Sequence, residues 1–250
     1  MDWDGDFTVR DVLDANGLSE AQTPKTGNCQ FYAIAKAMLQ ITHNNPANEK
    51  LLVATAGRIK KSIQEAARLH FDIEFPAGTH LGIIQSLGRG GIKMTGKERK
   101  QDVLNYFDEI AKSSSNRTTA LPGPQWGGPE SLRMAAKALQ RKIYVLIETS
   151  YGDRKGYAIY TPKQKALGGT TFLSAKEQGY DGRSWVEELR KDRTAAETNE
   201  EPLPIVLKFA EEHYNSMHFK RMEMPLEEPK PFLSSLSKHL ESPDMVNMSY

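Results

Sequence analysis

One cysteine in 250 residues has no partner for an internal disulfide, so the covalent chemistry requires no oxidising compartment. An excess of either charge is lacking too. With 33 Lys and Arg against 32 Asp and Glu, the formal net charge is +1, which removes the electrostatic case for nucleic acid or an anionic membrane as partner. No apolar run approaches the length of a membrane span. The acidic start "MDWDGDFTVRDVL" holds no apolar signal segment, and with the reduced thiol this sets a cytoplasmic expectation. Export by a route without such a signal stays open. Scattered histidines and a single Cys offer no zinc-ligand spacing, so no metal and no cofactor is expected. What is present, 38% hydrophobic and 26% charged, suits a soluble globular chain of one large domain or one domain with insertions.

Helical spacing dominates the first half. "TVRDVLDANGL" sets Val9, Val12 and Leu13 on one face, with Thr8 as N-cap and Gly17 as stop. After Cys29, the positions Phe31, Ile34, Ala35, Met38 and Leu39 follow helical periodicity. Further helices are expected at "GRIKKSIQEAARLH", with Ile59, Ile63, Ala66 and Ala67 inward, and at "KQDVLNYFDEIAK". Another is expected at "PESLRMAAKALQ", with Pro129 in its first position and Leu132, Ala135, Ala136 and Leu139 inward. "LGRGGIKMTGKERK" and "SSSNRTTALPGPQWGG" read as loops. Strands are expected only in the second half, at "KIYVLIE", "GYAIYT", "PIVLKFA" and "HYNSMHFKR". Residues 163–201 turn polar, with Trp185 as the one large anchor, and read as an insertion of surface loop. Residues 223–250, rich in Pro and Ser, read as a disordered tail. Helices first and an antiparallel-looking sheet later give an α+β class.

A lone cysteine is more often an inert, buried small hydrophobe than a nucleophile. Cys29, however, follows the Gly27-Asn28 turn and opens a helix, where free amides favour negative charge. That placement predicts a lowered thiol pKa and donors for an oxyanion. A base is also needed. In "HYNSMHF", strand alternation puts His213 and Asn215 on one face and His218 on the other with Tyr214 and Ser216. Cys at a helix start with His-x-Asn on a strand is the pattern of a cysteine hydrolase triad.

On these residues the chain resembles the OTU (ovarian tumour) family of papain-like cysteine proteases, which act as deubiquitinases. "TGNCQFYAIA" is similar to the family's Asp-Gly-Asn-Cys-Leu-Phe-Arg-Ala box, "QWGGPESLRMAAKALQRKIYVL" to its Trp-Gly-Gly block, and "PIVLKFAEEHYNSMHF" to its closing strands. The blocks anchor the stretch from about Phe7 to Arg221, within a domain set at 1–222. The resemblance implies a papain-like OTU sandwich, a short central β-sheet flanked by helices. It also implies hydrolysis of the isopeptide bond after the C-terminal Gly-Gly of ubiquitin or a ubiquitin-like modifier, through a thioester. Cys29 would then be the nucleophile, His213 the base and Asn215 its orienter, with Thr26, Gly27 and Asn28 forming the oxyanion loop. The family's Asp is Thr26 here, and Gln30 and Tyr32 replace Leu and Arg. The residues that would bind substrate are not legible.

Two other readings exist. A non-catalytic OTU-like module could bind ubiquitin without cutting it, which the Thr26 departure favours. "GIKMTGK", Gly91 to Lys97, has the spacing of a P-loop, but Glu98 follows where a hydroxyl should reach Mg²⁺. Trp126-Gly127-Gly128 reads as structural, a tight Gly-Gly turn with the indole packed beneath it.

Overall fold

A computed structural model describes residues 9–43, 45–148, 155–162, 170–174, 182–199 and 201–220, all within one compact unit that runs to Lys220. Six strands make one sheet: β1 (Leu18–Ala21), β2 (Ile143–Glu148), β3 (Lys155–Tyr160), β4 (Thr170–Ser174), β5 (Ile205–Ala210) and β6 (His213–Phe219). Their order is β1-β6-β5-β2-β3-β4. Strand alternation divides the core in two. Ile143, Val145, Ala158, Leu207 and Tyr214 point to the face covered by α2 (Cys29–Leu39), α3 (Pro46–Glu74), α4 (His80–Ser86), α5 (Gly96–Lys112) and α6 (Pro129–Leu139). Tyr144, Leu146, Tyr157, Val206 and Met217 point the other way. There they meet Val12 of α1 (Val9–Ala15) and Trp185, Val186 and Leu189 of α7 (Gly182–Asn199). The result is the α+β sandwich expected, a sheet flanked by helices on both sides.

The expected helices and second-half strands are present, with Ile59, Ile63, Ala67, Leu132, Ala135 and Ala136 buried. Ala66 and Leu139 are only partly buried. Several expectations need correction. A strand does occur in the first half: β1 pairs with β6, Leu18 opposite Phe219. At four residues it is too short to show an alternation of its own. The sheet is mixed rather than antiparallel, because β2 and β5 run parallel. The helix read from Gly57 begins at Pro46, with the Asn45 side chain accepting the Asn48 N–H at 2.8 Å.

Residues 163–201 are not surface loop alone. They contribute β4 at the sheet edge and the 18-residue α7. Trp185 is fully buried, edge-on to Tyr144 at 5.5 Å between ring centroids. One apolar stripe on an otherwise charged helix is what made this segment read as polar.

The P-loop lookalike is a helix start. Gly96 and Lys97 open α5, Glu98 N–H donates to Thr95 Oγ1 at 3.3 Å, and the Glu98 carboxylate accepts the Thr95 N–H at 2.6 Å. That reciprocal pair is a capping box, and the element before it is α4 rather than a strand. Thr8 and residues 223–250 lie outside the described residues, as does most of 163–181 apart from β4. Among the described residues no helix is long and apolar enough to cross a membrane.

Candidate active site

The loop before α2 is held by three separate clamps. Asn28, fully buried at the N-cap position, makes no side-chain cap. Its Nδ2 donates instead to the Ser114 and Asn116 carbonyls, at 3.0 and 3.3 Å. Lys60 Nζ and Tyr32 Oη donate to the neighbouring Ser114 and Ser115 carbonyls, at 2.8 and 3.0 Å, so the chain after α5 is fixed as a shelf. Lys60 is buried, which pushes its pKa down to about 8.

Gly27 has φ +77°, and a Cβ there would meet Trp126 Nε1 at 2.4 Å. The indole lies over Gly27 and donates to the Leu121 carbonyl at 2.8 Å. It therefore does not pack beneath the Gly-Gly pair, as the sequence suggested. Gly127 is small because a Cβ would meet Gln30 Oε1 at 2.1 Å. Gln30 is tied to this block: its Nε2 donates to the Gly128 carbonyl at 3.2 Å and its Oε1 accepts from Ser131 Oγ at 2.5 Å. The Gln30 and Tyr32 departures are thus tethers of the α2 start.

Thr26 is held by its backbone. Its N–H donates to the Pro24 carbonyl and its carbonyl accepts from Leu121 N–H, both at 3.0 Å. Among the described residues its buried hydroxyl has no partner, so none of them uses it to anchor the loop. The Thr26 N–H, being committed, is unavailable to an oxyanion. The first amides of α2 have no intrahelical acceptor and remain as donors.

A two-residue turn sets the other half. Glu211 and Glu212 take φ +50° and +60°, and Ala210 pairs with His213 across the hairpin, which makes His213 the first residue of β6. Thr23, which the sequence did not single out, reaches both expected residues. Its Oγ1 lies 3.2 Å from His213 Nε2 and its N–H donates to Asn215 Oδ1 at 3.1 Å. The Thr23 hydroxyl donates to the Tyr214 carbonyl. Asn215 Nδ2 donates to Glu20 Oε1 at 2.6 Å and Gln22 Oε1 at 3.2 Å. With acceptors on its nitrogen side and an N–H on its oxygen side, the amide has one orientation. Glu20 is in turn paired with Lys208 at 3.3 Å, and Lys208 with Glu148 at 3.0 Å. His218 faces the opposite side with Ser216 Oγ, 2.9 Å from its Nε2.

Cys29 and His213 are brought to adjacent backbone, yet no hydrogen bond joins the sulfur to the imidazole. The sulfur lies against the backbone of Tyr214, the residue that follows His213. Burial pushes the thiol above its ordinary 9.0; hydrogen bonds from the backbone at Tyr214, Gln30 and Cys29 itself only partly offset this. The lowered thiol pKa expected from the helix start is therefore overturned, because desolvation outweighs the amides. Burial and then Lys25 push His213 below 6.5, against the Asn215 amide, the Thr23 backbone and Glu20. Both shifts favour the uncharged forms, a neutral thiol and a neutral imidazole. Among the described residues no cluster of three or more His, Cys, Asp or Glu could hold a metal ion.

No protein-family model matches the chain, and no curated protein matches its sequence. Solved structures similar to it include the Hazara virus OTU bound to ubiquitin, at 13% identity and TM-score 0.42, covering 84% of this chain and 86% of that one. The OTU domain of OTUD1 is similar at 11% identity and TM-score 0.43, over 82% and 88%. An OTU deubiquitinase from Wolbachia pipientis wMel, bound to ubiquitin, is similar at 12% identity and TM-score 0.40, over 80% and 95%. The functional reading of this chain rests on its own residues.

Proposed function

We propose that this chain is a cysteine-dependent hydrolase that cuts the isopeptide bond after the C-terminal Gly-Gly of ubiquitin or a ubiquitin-like modifier. The observation that carries the reading is a lone cysteine at a helix start, set against a strand whose histidine has its ring nitrogen engaged. Ubiquitin enters through the three sequence blocks that resemble the OTU family. Cys29 loses its proton to His213 as its sulfur bonds the carbonyl carbon, and the α2 amides receive the oxyanion. The lysine amine then leaves with the proton from His213. Water, deprotonated by His213, releases the thioester. Asn215 helps to orient the imidazole, and the working unit is residues 1–222. The setting is cytoplasmic, where a lone thiol stays reduced.

A ubiquitin with a thiol-reactive group at its C-terminus should form one covalent adduct, lost in Cys29→Ala. An adduct that survives Cys29→Ala overturns the nucleophile. A second reading, a module that binds ubiquitin without cutting it, is favoured by the orphaned Thr26 hydroxyl and the missing Cys29–His213 hydrogen bond. Saturable ubiquitin binding with no adduct and no turnover would select it.

A further inference from the structure

We infer that Thr23 is the positioning residue that sets the tautomer of His213, with Asn215 supporting both Thr23 and the ring. The inference rests on the hydrolase reading for its kinetic consequence, but not for its geometry. The Thr23 hydroxyl has one proton, and that proton goes to the Tyr214 carbonyl. Toward His213 Nε2, 3.2 Å away, the oxygen can only accept, so Nε2 carries the ring proton. Nδ1 is then the unprotonated nitrogen, and it is the one free to take a proton from a thiol. When it does, the imidazolium keeps the Nε2–H on Thr23 and gains a proton on Nδ1 alone.

Asn215 reaches both partners. Its Oδ1 accepts the Thr23 N–H and lies 3.5 Å from Thr23 Oγ1. Its Nδ2 is spent on Glu20 and Gln22, and its side chain also bears on the imidazole, where it favours the protonated ring. Pro24 restricts Thr23 to extended backbone, which holds its N–H and hydroxyl toward β6. Thr23 is itself buried. The charged groups that face His213 are Lys25 and Glu20, both on the segment that carries Thr23.

The test is proton–nitrogen correlation spectroscopy on protein with ¹⁵N-labelled histidine, the His213 signals being assigned by their loss in His213→Gln. The native protein should show the Nε2–H tautomer. In Thr23→Val, nearly equal in shape and lacking the hydroxyl, the Nδ1–H form should rise, and Thr23→Ser should restore the native pattern. On a fluorogenic ubiquitin substrate, Thr23→Val should lose about ten- to a hundredfold in kcat/KM, the range of one hydrogen bond to a charged group, with Thr23→Ser within about threefold of native. An Nδ1–H tautomer in the native protein overturns the inference. So does a Thr23→Val protein with unchanged tautomer and rate. A native protein with the Nε2–H tautomer, shifted in Thr23→Val, but without ubiquitin turnover would uphold this inference while the hydrolase reading fails.

Discussion

At Cys29 two effects of opposite sign meet: helix-start amides that favour a thiolate, and a site only 7% exposed that disfavours it. Burial wins, and the consequence is measurable. Alkylation by iodoacetamide should accelerate with pH through 9 and beyond, as a thiol with a raised pKa ionises. A plateau from neutral pH would instead mean a resting thiolate–imidazolium pair. On the hydrolase reading, His213 must be neutral to accept the thiol proton, and its pKa is lowered from 6.5. The acid limb of kcat/KM should therefore fall below pH 6.5, and a limb above 7 would refute the assignment.

Thr26 makes a second case at this scale. Its hydroxyl is buried and unpaired, a state that costs about 1–3 kcal/mol. Thr26→Val removes that cost at nearly constant shape. The melting temperature should hold or rise, with kcat/KM within about threefold of native. A large loss of rate would mean the hydroxyl finds a partner once substrate is bound. The placement of Cys29 at a helix start, and of His213 and Asn215 on one face of a strand, could be read from the chain because both patterns are local. Thr23 and Glu20 could not, since their contacts span 190 and 195 residues and nothing near them marks the pairing.

Among the elements, β6 does the most. One edge-to-edge neighbour is β5 through a tight hairpin, the other is β1, and its two faces carry two histidines of different character. His218 is 1% exposed, its Nδ1 has no partner among the described residues, and burial followed by Lys36 pushes its pKa down to about 4. Its folded pKa lies below the unfolded 6.5, so the unfolded chain binds the extra proton first. Stability from this group is full above pH 6.5, declines as pH falls toward 4, and levels off below. The loss is about 3 kcal/mol at 1.36 kcal/mol per unit. Urea unfolding midpoints should drop over that window, and the drop should be much smaller in His218→Gln. An equal drop in both proteins would place the acid sensitivity elsewhere.

For the whole molecule, the second core decides whether residues 163–201 are an insertion or part of the fold. The sequence hid the answer, because α7 buries a narrow stripe and exposes charge on the rest of its surface. Trp185 meets both Tyr144 and Tyr157, and its indole N–H donates to the Ala158 carbonyl at 3.2 Å. Trp185→Ala should cost about 3–5 kcal/mol, a large share of the 5–15 kcal/mol typical of a domain. Removing 163–201 should abolish the cooperative urea transition. A truncated protein with an unchanged midpoint would return this segment to the status of a loop.

The pairing of β1 with β6 joins residues about two hundred positions apart, Leu18 with Phe219. During synthesis, therefore, the thiol leaves the ribosome long before the histidine exists. Helix α2 can form early on local contacts, but Thr23 and Glu20 meet His213 and Asn215 only after the last strand has emerged and docked. Contacts of such separation form late and slowly. On the hydrolase reading, a partly made chain would carry the thiol with no base to arm it, and a chain frayed at either margin of β6 would be disarmed while still mostly folded. Hydrolysis would then report completion of the fold.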